Sequence, residues 1–382
     1  MHGSSPPLAE SARARIETLT LRDFRNFERL ELALPAPGLA IIGDNGQGKT
    51  NLLEAMYYFS LLRSARGARD VDLVRFDASG FFIDARLCAP DAQELSVGFE
   101  RAGRRKKVRR DGIVAERLSD ALGSLPAVMF SPTDVELVAG GPSARRRYLD
   151  IMLALTSRGY LHALQQYRGA LERRNAALRA AARQARDATT SIEVWEQPLA
   201  EHGATLVRTR RTWVARMQER FADRCAAIGE GAPMEMRYMT GVNANAESLE
   251  LALAEALAGR RSGDLRMGMT LVGPHRDDLG MLVGGRDLRT FGSAGQQRTA
   301  AIALRTLEAE TVRDARGAAP VFLLDDPFAE LDVRRATRVL ALLRDIGFGQ
   351  TILAVPREAD IPAELTSLAR ARVADGRVER ET

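Results

Sequence analysis

The segment Gly43-Asp44-Asn45-Gly46-Gln47-Gly48-Lys49-Thr50 decides the fold of this chain. It fits the pattern G-x-x-x-x-G-K-T, in which glycines let backbone N–H groups curl around a phosphate. The apolar run at residues 39–42 precedes it and is too short for a helix, so it predicts a buried strand. Residues 51–62 are apolar on nearly all faces and predict a core helix whose N-terminus points at the phosphate. The order strand, loop, helix therefore predicts a nucleotide-binding α/β domain.

The loop assigns roles to two side chains in particular. Lys49 would place a positive charge at the β- and γ-phosphate oxygens and is predicted to be catalytic. Thr50 would offer its hydroxyl to Mg²⁺, so ATP and Mg²⁺ are the expected cofactors. The predicted nucleotide-binding residues are Gly43, Asp44, Asn45, Gly46, Gln47, Gly48, Lys49 and Thr50.

A second segment, VFLLDD at residues 321–326, predicts an apolar strand that ends in two carboxylates. We expect Asp325 to join the Mg²⁺ shell. Asp326 is one residue further on and is expected to face the other way, where it could orient or deprotonate the attacking water. The alternative is a pair of surface aspartates at the end of a strand.

A third segment, GSAGQQR at residues 292–298, is similar to an ABC-type signature. Taken alone it could be an ordinary loop before a helix. Gln296 lies 29 residues before Asp325, and residues 297–309 between them predict a helix, which favours the signature. In the ABC arrangement these residues would bind the γ-phosphate held by the opposite protomer, so that ATP joins two copies. The residues concerned are Ser293, Ala294, Gly295 and Gln296.

The spacing of these motifs predicts the domain organisation. Because 242 residues separate Lys49 from Gly292, a large segment is inserted into the head. The predicted fold is an α/β ABC-type ATPase head, with a P-loop sheet and an antiparallel β subdomain, carrying an inserted, mostly helical arm. The expected parts are a flexible tail at 1–15, the first part of the head at 16–130, the helical arm at 131–254 and the second part of the head at 255–382. Strands are expected to resume at Thr270.

Composition excludes several classes of protein. No run of 18 apolar residues exists, which argues against a membrane span. Residues 1–15 lack the apolar region of a signal peptide. Only two cysteines are present, Cys88 and Cys225, which fits a reducing cytoplasm rather than a disulfide framework. The four histidines are scattered without metal-ligand spacing.

Residues 101–110 hold seven basic residues and no acid, across a predicted hairpin whose turn is Asp111-Gly112. By strand alternation Arg104, Lys106 and Arg110 share one face with Val108. The functional reading is phosphate contact, and the alternative is a solvated edge strand. Without interleaved aromatic residues, we expect contact with the duplex backbone, independent of sequence. The predicted DNA-binding residues are Arg104, Arg105, Lys106, Lys107, Arg109 and Arg110.

A second basic cluster lies on a predicted helix and could contact DNA or simply cover the surface. Its members are Arg208, Arg210, Arg211, Arg216 and Arg220.

Beyond the ATP motifs, several segments resemble the RecF family of bacterial recombination-mediator ATPases, which belongs to the SMC/ABC class. Together they extend over nearly the whole chain after Ile16. They are LRDFRNF at 21–27, FSPTDVELV at 130–138, RRRYLD at 145–150, residues 167–175, TLVGPHRDD at 270–278 and SAGQQ at 293–297.

This resemblance implies an ATP-dependent homodimer that binds double-stranded DNA and favours junctions with single strands. It implies action with RecR, and with RecO in the wider pathway, to place RecA on single-strand gaps in gap repair, replication restart and the SOS response. The ATPase would be weak, DNA-stimulated and regulatory. The alternative is a DNA-binding scaffold of SMC-like type with a vestigial or purely regulatory ATP site. A long-armed SMC machine is disfavoured, because an insert of about 120 residues cannot make a long coiled coil.

Three positions depart from the ABC pattern. Asp326 stands where transporters have a glutamate, as the RecF resemblance implies. No histidine follows the predicted strand at 351–355, and no clear glutamine lies near residues 130–132. Both absences suggest slow turnover. His275 is expected to have a structural or head-interface role rather than a catalytic one.

Overall fold

The computed structural model describes residues 13–88, 92–184, 192–243, 246–329, 331–347 and 349–381. Most of the tail predicted at residues 1–15 lies outside these ranges. Where the description begins, the Ala14 amide donates to the carbonyl of Ala319, and the first strand starts at Arg15. None of the helices formed by the described residues combines the length and the apolar character of a membrane span.

The chain forms an ordered series of strands and helices. The strands are β1 (Arg15–Phe24), β2 (Phe27–Ala33), β3 (Gly38–Ile42), β4 (Gly80–Cys88), β5 (Gln93–Glu100), β6 (Arg105–Arg110), β7 (Ile113–Val114), β8 (Ala127–Phe130), β9 (Met234–Met239), β10 (Asp278–Val283), β11 (Arg286–Asp287), β12 (Val321–Asp325), β13 (Thr351–Val355), β14 (Ala369–Ala374) and β15 (Arg377–Arg380). The helices are α1 (Lys49–Leu61), α2 (Asp70–Leu73), α3 (Glu136–Ala139), α4 (Pro142–Thr156), α5 (Arg158–Gln184), α6 (Glu196–Ile228), α7 (Leu249–Met267), α8 (Leu288–Phe291), α9 (Ala294–Arg316) and α10 (Val333–Ile346).

The strand before the predicted phosphate-binding loop, β3, and the strand that ends in Asp325, β12, belong to a six-stranded sheet with the order β15-β14-β3-β13-β12-β8. All neighbours are parallel except β14 and β15. Strands β3, β12 and β13 are buried at every residue, as expected for a parallel sheet covered on both faces. One strand, β13, lies between β3 and β12, so the carboxyl ends of these two strands open at the same edge of the sheet.

The second sheet is antiparallel, with the order β2-β1-β4-β5-β6-β7. In β4 and β5 buried and more exposed residues alternate, so that one face packs on the core and the other faces solvent. The buried face includes Leu21, Ile83, Val97 and Val108. The α/β class, the P-loop sheet, the antiparallel subdomain and the helical insert predicted from the sequence are therefore confirmed.

The chain divides into two compact units. Unit 1 contains residues 1–134, 227–229 and 302–382, and unit 2 contains residues 135–226 and 230–301. The second unit therefore continues well past residue 254, where the predicted arm ends. The reason is local: β9, β10 and β11 form a three-stranded sheet, and α7 packs on α5, all within unit 2. The functional division expected from the sequence, at residues 1–15, 16–130, 131–254 and 255–382, stays a prediction.

The expected strand at Thr270 is wrong, because residues 270–277 form turns and β10 begins only at Asp278. Side chains replace strand pairing there. The Thr270 amide donates to Asn175 Oδ1, and its carbonyl accepts from His275 Nε2 and Arg276 Nε. Gly273, with φ of 124°, allows the turn.

Two buried arginines hold unit 2 together. Arg174, which is fully buried, donates to Asp264 at 2.7 Å and to Glu196 at 2.9 Å. Arg210 is 2% exposed and donates to Asp150 at 2.7 Å and to the carbonyl of Pro274 at 2.7 Å. A buried charge needs such partners to offset the loss of hydration.

Arg210 is therefore removed from the possible DNA-binding cluster, because its guanidinium faces the interior. The other four arginines of that cluster are exposed on α6. They are Arg208, Arg211, Arg216 and Arg220.

His275 lies within the same polar interior. Its Nδ1 is 2.6 Å from the Tyr167 hydroxyl, and its Nε2 is 3.0 Å from the Thr270 carbonyl. A carbonyl only accepts, so Nε2 carries the proton and Nδ1 accepts from the tyrosine. Burial lowers the pKa of His275 to about 4, and its ring is neutral at pH 7. These contacts support the predicted structural role.

The depressed pKa of His275 predicts a pH-dependent stability. In the unfolded chain the pKa of the His275 imidazole is near 6.5. Below that pH the unfolded state therefore binds a proton that the folded state does not bind. The contribution to the free energy of unfolding is complete above pH 6.5 and is lost as the pH falls towards 4, up to about 3 kcal/mol. We expect urea titrations between pH 7 and pH 5 to show a shallower decline for His275→Gln than for wild type. His162→Gln, at an exposed position of α5, should keep the wild-type decline; equal slopes in all three proteins would contradict this prediction.

Candidate nucleotide-binding site

The loop between β3 and α1 has the backbone conformation that a phosphate-binding loop requires. Gly46 and Gly48 have φ of 85° and 115°, a region that favours glycine. A side chain at Gly43 would collide with the Val373 carbonyl of β14, and one at Gly48 would collide with the Asn26 side chain. The glycines are therefore required by close packing and by left-handed backbone, as the motif predicts.

Lys49 is 7% exposed, and its ammonium donates to the backbone carbonyls of Gly43 and, at 2.9 Å, Asp44. Burial lowers the pKa of Lys49, while the nearby Asp325 and Asp326 act in the opposite direction. A buried ammonium beside an open cleft is stabilised by an anion, and this suits a phosphate.

Thr50 and Asp325 come together from opposite ends of the chain. The Thr50 hydroxyl lies 2.9 Å and 3.1 Å from the two carboxylate oxygens of Asp325. Burial raises the pKa of Asp325, whereas the hydrogen bond from Thr50 and the charge of Lys49 oppose that shift. A hydroxyl and a carboxylate are hard oxygen ligands, so this pair fits the predicted magnesium site.

Asp326 lies on the same cleft as Asp325, which differs from the expectation that it faces the other way. Strand alternation ends at Asp325. Asp326 adopts φ of 45°, a left-handed conformation that is costly for a residue with a side chain, and its amide donates to the Ala354 carbonyl. The backbone therefore turns its half-buried side chain to the cleft.

These residues surround an open cleft of about 400 Å³ in unit 1. Its walls include side chains that the sequence did not single out: Asn51, Arg66, Pro132 and Pro356. Arg66 Nη1 donates to Asn51 Oδ1 at 3.4 Å. Within the described residues Arg66 adds a second positive charge to the cleft walls beside Lys49. No local motif marks it, because only the fold brings it to the loop.

Asn26 is a further residue that sequence reasoning did not assign. Its Nδ2 donates to the Gln47 carbonyl at 3.0 Å, and its Oδ1 accepts from Asn51 at 2.9 Å. The Gln47 side chain in turn accepts from the Asp375 amide. These bonds hold the loop from behind. The one available signal is that Asn26 lies in the segment 21–27, which resembles RecF.

The predicted signature lies in unit 2, at the N-terminus of α9, and its residues do not line the cleft in unit 1. Ser293 Oγ accepts from the Gln296 amide at 3.2 Å, and Gln296 Oε1 accepts from the Ser293 amide at 3.0 Å. This reciprocal pair caps the helix. Ser293 and Ala294 are exposed, and Gly295 and Gln296 are half-buried, so the helix N-terminus can meet an anion from outside the chain.

The basic hairpin forms as predicted, but its faces do not match the expectation. Val108 is 2% exposed, so the face it shares with Lys106 is the inner face of the sheet. The Lys106 ammonium donates to Asp70 at 2.8 Å, to the Leu62 carbonyl at 2.7 Å and to the Tyr58 hydroxyl at 3.2 Å. These three contacts occupy the Lys106 ammonium, so Lys106 is not available as a DNA contact.

The remaining basic residues of the hairpin are accessible. Arg105, Lys107 and Arg109 alternate with Lys106 and Val108 and project from the outer face of β6. Arg104 and Arg110, at the ends of the strand, are exposed as well.

The Lys106 contacts predict a difference in stability between two adjacent lysines. Replacing Lys106 by Ala leaves the largely buried Asp70 without its cation, and we expect the free energy of unfolding to fall by about 2 kcal/mol. Lys107→Ala changes an exposed side chain and should stay within about 0.5 kcal/mol of wild type. Urea denaturation followed by circular dichroism measures both. Equal stabilities would mean that the Lys106–Asp70 pair contributes nothing.

Known proteins share this fold and these motifs. Residues 15–361 match the family model described as the RecF/RecN/SMC N terminal domain. A protein of Chloroflexus aurantiacus named DNA replication and repair protein RecF is 38% identical over 389 residues, covering 95% of this chain and 99% of its own. The Oceanobacillus iheyensis protein of the same name is 34% identical over 367 residues, covering 94% and 99%.

Solved structures agree with these sequence matches. A structure titled as the recombination mediator protein RecF-ATP in the RecFOR pathway has a TM-score of 0.88 and 28% identity, covering 97% of this chain and 98% of that one. The Smc head domain of Pyrococcus furiosus, bound to a domain of ScpA, has a TM-score of 0.56 and 17% identity over 96% of both chains, which shows the fold alone. The chain belongs to the RecF family, within the wider group of RecF, RecN and SMC ATPases.

Proposed function

We propose that this protein is an ATP-dependent DNA-binding recombination mediator. ATP binding joins two copies, the dimer holds duplex DNA near a single-strand gap, and slow hydrolysis releases it. The observation that carries this proposal is the cleft in unit 1, where Lys49 and Thr50 of the phosphate-binding loop meet Asp325 and Asp326 at the end of β12. Membership of the RecF family, whose solved structures include ATP complexes, supports it.

ATP binding begins at the loop. The amides of residues 43–50 and the charge of Lys49 would hold the β- and γ-phosphates. Thr50 and Asp325 would hold Mg²⁺, which neutralises phosphate charge when bound. Arg66, on the cleft wall, is placed to add positive charge beside the phosphates.

Asp326 is the proposed hydrolytic residue. A carboxylate on the cleft wall next to the metal ligand Asp325 can orient or deprotonate a water molecule. It is one methylene shorter than a glutamate, and the neighbouring Asp325 competes with it for positive charge. Both features favour a slow reaction, suited to a switch rather than to sustained turnover.

The signature residues of one copy are proposed to complete the site of the other. Ser293 and Gln296 cap α9 reciprocally, which leaves its N-terminus ordered and exposed. A helix N-terminus stabilises an anion through its free amides and its dipole. The γ-phosphate of a partner copy is the anion that fits the ATPase class.

DNA contact is proposed for the outer basic residues of the hairpin. Arg105, Lys107 and Arg109 project from one face, with Arg104 and Arg110 at the ends of the strand. Contacts to the duplex backbone neutralise phosphates and carry no sequence information. The proposal also includes joint action with RecR and RecO to load RecA. It further includes stimulation of the ATPase by DNA and a cytoplasmic location.

The first test measures whether nucleotide controls DNA binding. In fluorescence anisotropy on a gapped duplex, we expect wild type to bind more tightly with ATP than without it. Ser293→Arg should abolish the ATP effect, because it places a cation and a large side chain where the partner's phosphate belongs. Asp326→Asn should bind with ATP and release more slowly than wild type, since hydrolysis is blocked.

Two controls match these variants. Ser248→Arg also removes a serine N-cap in unit 2, on α7, and should keep the ATP effect. Asp345→Asn, at an exposed position of α10, should release like wild type. ATP-independent binding that is equal in wild type and Ser293→Arg would refute the clamp and favour the scaffold.

A second test addresses the DNA-binding face. A triple variant in which Gln replaces Arg105, Lys107 and Arg109 should bind a blunt duplex more weakly. The slope of the logarithm of its DNA-binding constant against the logarithm of the salt concentration should be smaller in magnitude by about 3. The matched control neutralises Arg372, Arg377 and Arg380, which are exposed on β14 and β15. An unchanged slope in the hairpin variant, or the same loss in the control, would exclude the hairpin as the DNA contact.

A further inference from the structure

The solvent face of the antiparallel sheet carries a line of residues that no sequence motif connects. On β1, Arg22 pairs with Arg29 of β2 on one side and with Phe82 of β4 on the other. Phe82 pairs with Gly98 of β5, which pairs with Lys107 of β6. We call Arg29, Arg22, Phe82, Gly98 and Lys107 the cross-strand row.

The cross-strand row lies on the outer face. The neighbours of Phe82 in the chain, Phe81 and Ile83, are buried at 4% and 0% exposure in the core, so Phe82 itself points away from it. Its exposure is intermediate, and Arg22, Arg29 and Lys107 are exposed. An aromatic side chain on the solvated face of an antiparallel sheet is not needed for the core.

The charges of the cross-strand row favour an anionic partner. Every residue of the row is described by the structure; three of the five are basic and none is acidic. Arg22 and Arg29 stand directly opposite each other, an arrangement that destabilises a sheet unless an anion lies between the charges. Glu31 in the next row relieves this repulsion in part: it forms an ion pair with Arg29, and the charge of Arg22 also helps to lower the pKa of its carboxyl.

Phe82 decides which anion fits. Gly98 leaves the edge of the ring uncovered: a Cβ at that position would come within 3.8 Å of Phe82 Cδ2, and glycine has none. An aromatic ring between cations is the pattern of single-strand nucleic-acid sites, where bases stack on the ring and phosphates meet the charges. A duplex keeps its base faces stacked inside, so it cannot use the ring.

The length of the cross-strand row also suits a short segment of extended single-stranded nucleic acid. Four strand-to-strand steps separate Arg29 from Lys107, which amounts to about 19 Å. A single small phosphate would not use charges spread over that distance, whereas a few nucleotides of an extended strand would.

We propose that the cross-strand row binds single-stranded DNA, with one base stacked on Phe82 and the backbone held by Arg22, Arg29 and Lys107. This site extends the proposed function, since a gap offers both a duplex and a single strand, but it does not depend on the nucleotide cleft. Lys107 would serve both surfaces, because it lies on the row and also on the outer face of the hairpin.

The test uses a fluorescently labelled oligothymidylate of about ten nucleotides, without ATP. We expect wild type to bind it, and Phe82→Leu to bind about ten- to a hundredfold more weakly, because the stacked base is lost. Phe82→Tyr keeps an aromatic ring and should restore binding. Phe76→Leu, which changes an 89% exposed phenylalanine outside the cross-strand row, should behave as wild type.

A charge variant tests the backbone contact. Arg22→Gln should lower the slope of log K against log salt by about 0.7, the value for one phosphate of a single strand. Arg86→Gln, exposed on the same face but outside the cross-strand row, should leave the slope unchanged.

Several outcomes would overturn this proposal. They are the failure of wild type to bind the oligothymidylate, unchanged binding by Phe82→Leu, and equal losses in Phe82→Leu and Phe76→Leu. Photocrosslinking of wild type to an iodouridine oligonucleotide gives an independent measurement, and a crosslinked peptide without Phe82 would also exclude the site.

The outcomes separate this site from the ATP-dependent clamp. We expect Ser293→Arg to bind the oligothymidylate normally, and Phe82→Leu to retain the ATP effect on a gapped duplex. Loss of the ATP effect in Ser293→Arg alone would support the clamp whatever the oligothymidylate experiment shows.

Discussion

The contact between the Thr50 hydroxyl and the Asp325 carboxylate is the constraint on which the nucleotide site depends. The two residues are 275 positions apart, yet their oxygens lie 2.9 Å apart at the closest. Asp325 is buried, and burial raises its pKa, so the carboxylate needs a donor and a cation beside it. Thr50 supplies the donor and Lys49 the cation, but only if β12 lies close to β3 in the sheet, with the single strand β13 between them. The chemistry of the cleft therefore requires this order of strands in the parallel sheet.

The large insert, unit 2, is compatible with this sheet order. It occupies the chain between residues 134 and 302, apart from residues 227–229, and its own polar interior holds it together. Arg174 and Arg210 each reach partners far away in sequence, with short and well-directed hydrogen bonds. Breaking one partner of such a buried pair is costly. Segments 145–150 and 270–278, which resemble RecF, supply much of this interior, so their resemblance reflects structure more than catalysis.

The antiparallel sheet shows how two adjacent residues can acquire different roles. Lys106 and Lys107 are indistinguishable by composition, and both belong to the same basic run. The pleat turns one to Asp70 and the core and the other to solvent. The outer face then brings Lys107 into line with Phe82 and Arg22, although the three belong to different strands. Aromatic and basic residues that are not interleaved in the sequence become interleaved in space.

The sequence by itself determined the features that depend on neighbouring residues. The phosphate-binding loop, the strand before Asp325, the helix after Ser293 and the hairpin at Asp111-Gly112 all follow from local backbone preferences, and the structure contains each of them. Tertiary structure decided which face of the hairpin is buried, because alternation shows which residues share a face but not which face meets the core. It also brought Asp326 to the cleft, through a left-handed backbone that depends on the neighbouring strand β13, and placed Arg66 and Asn26 around the loop. These arrangements depend on contacts between distant segments, whose free energy no local pattern contains.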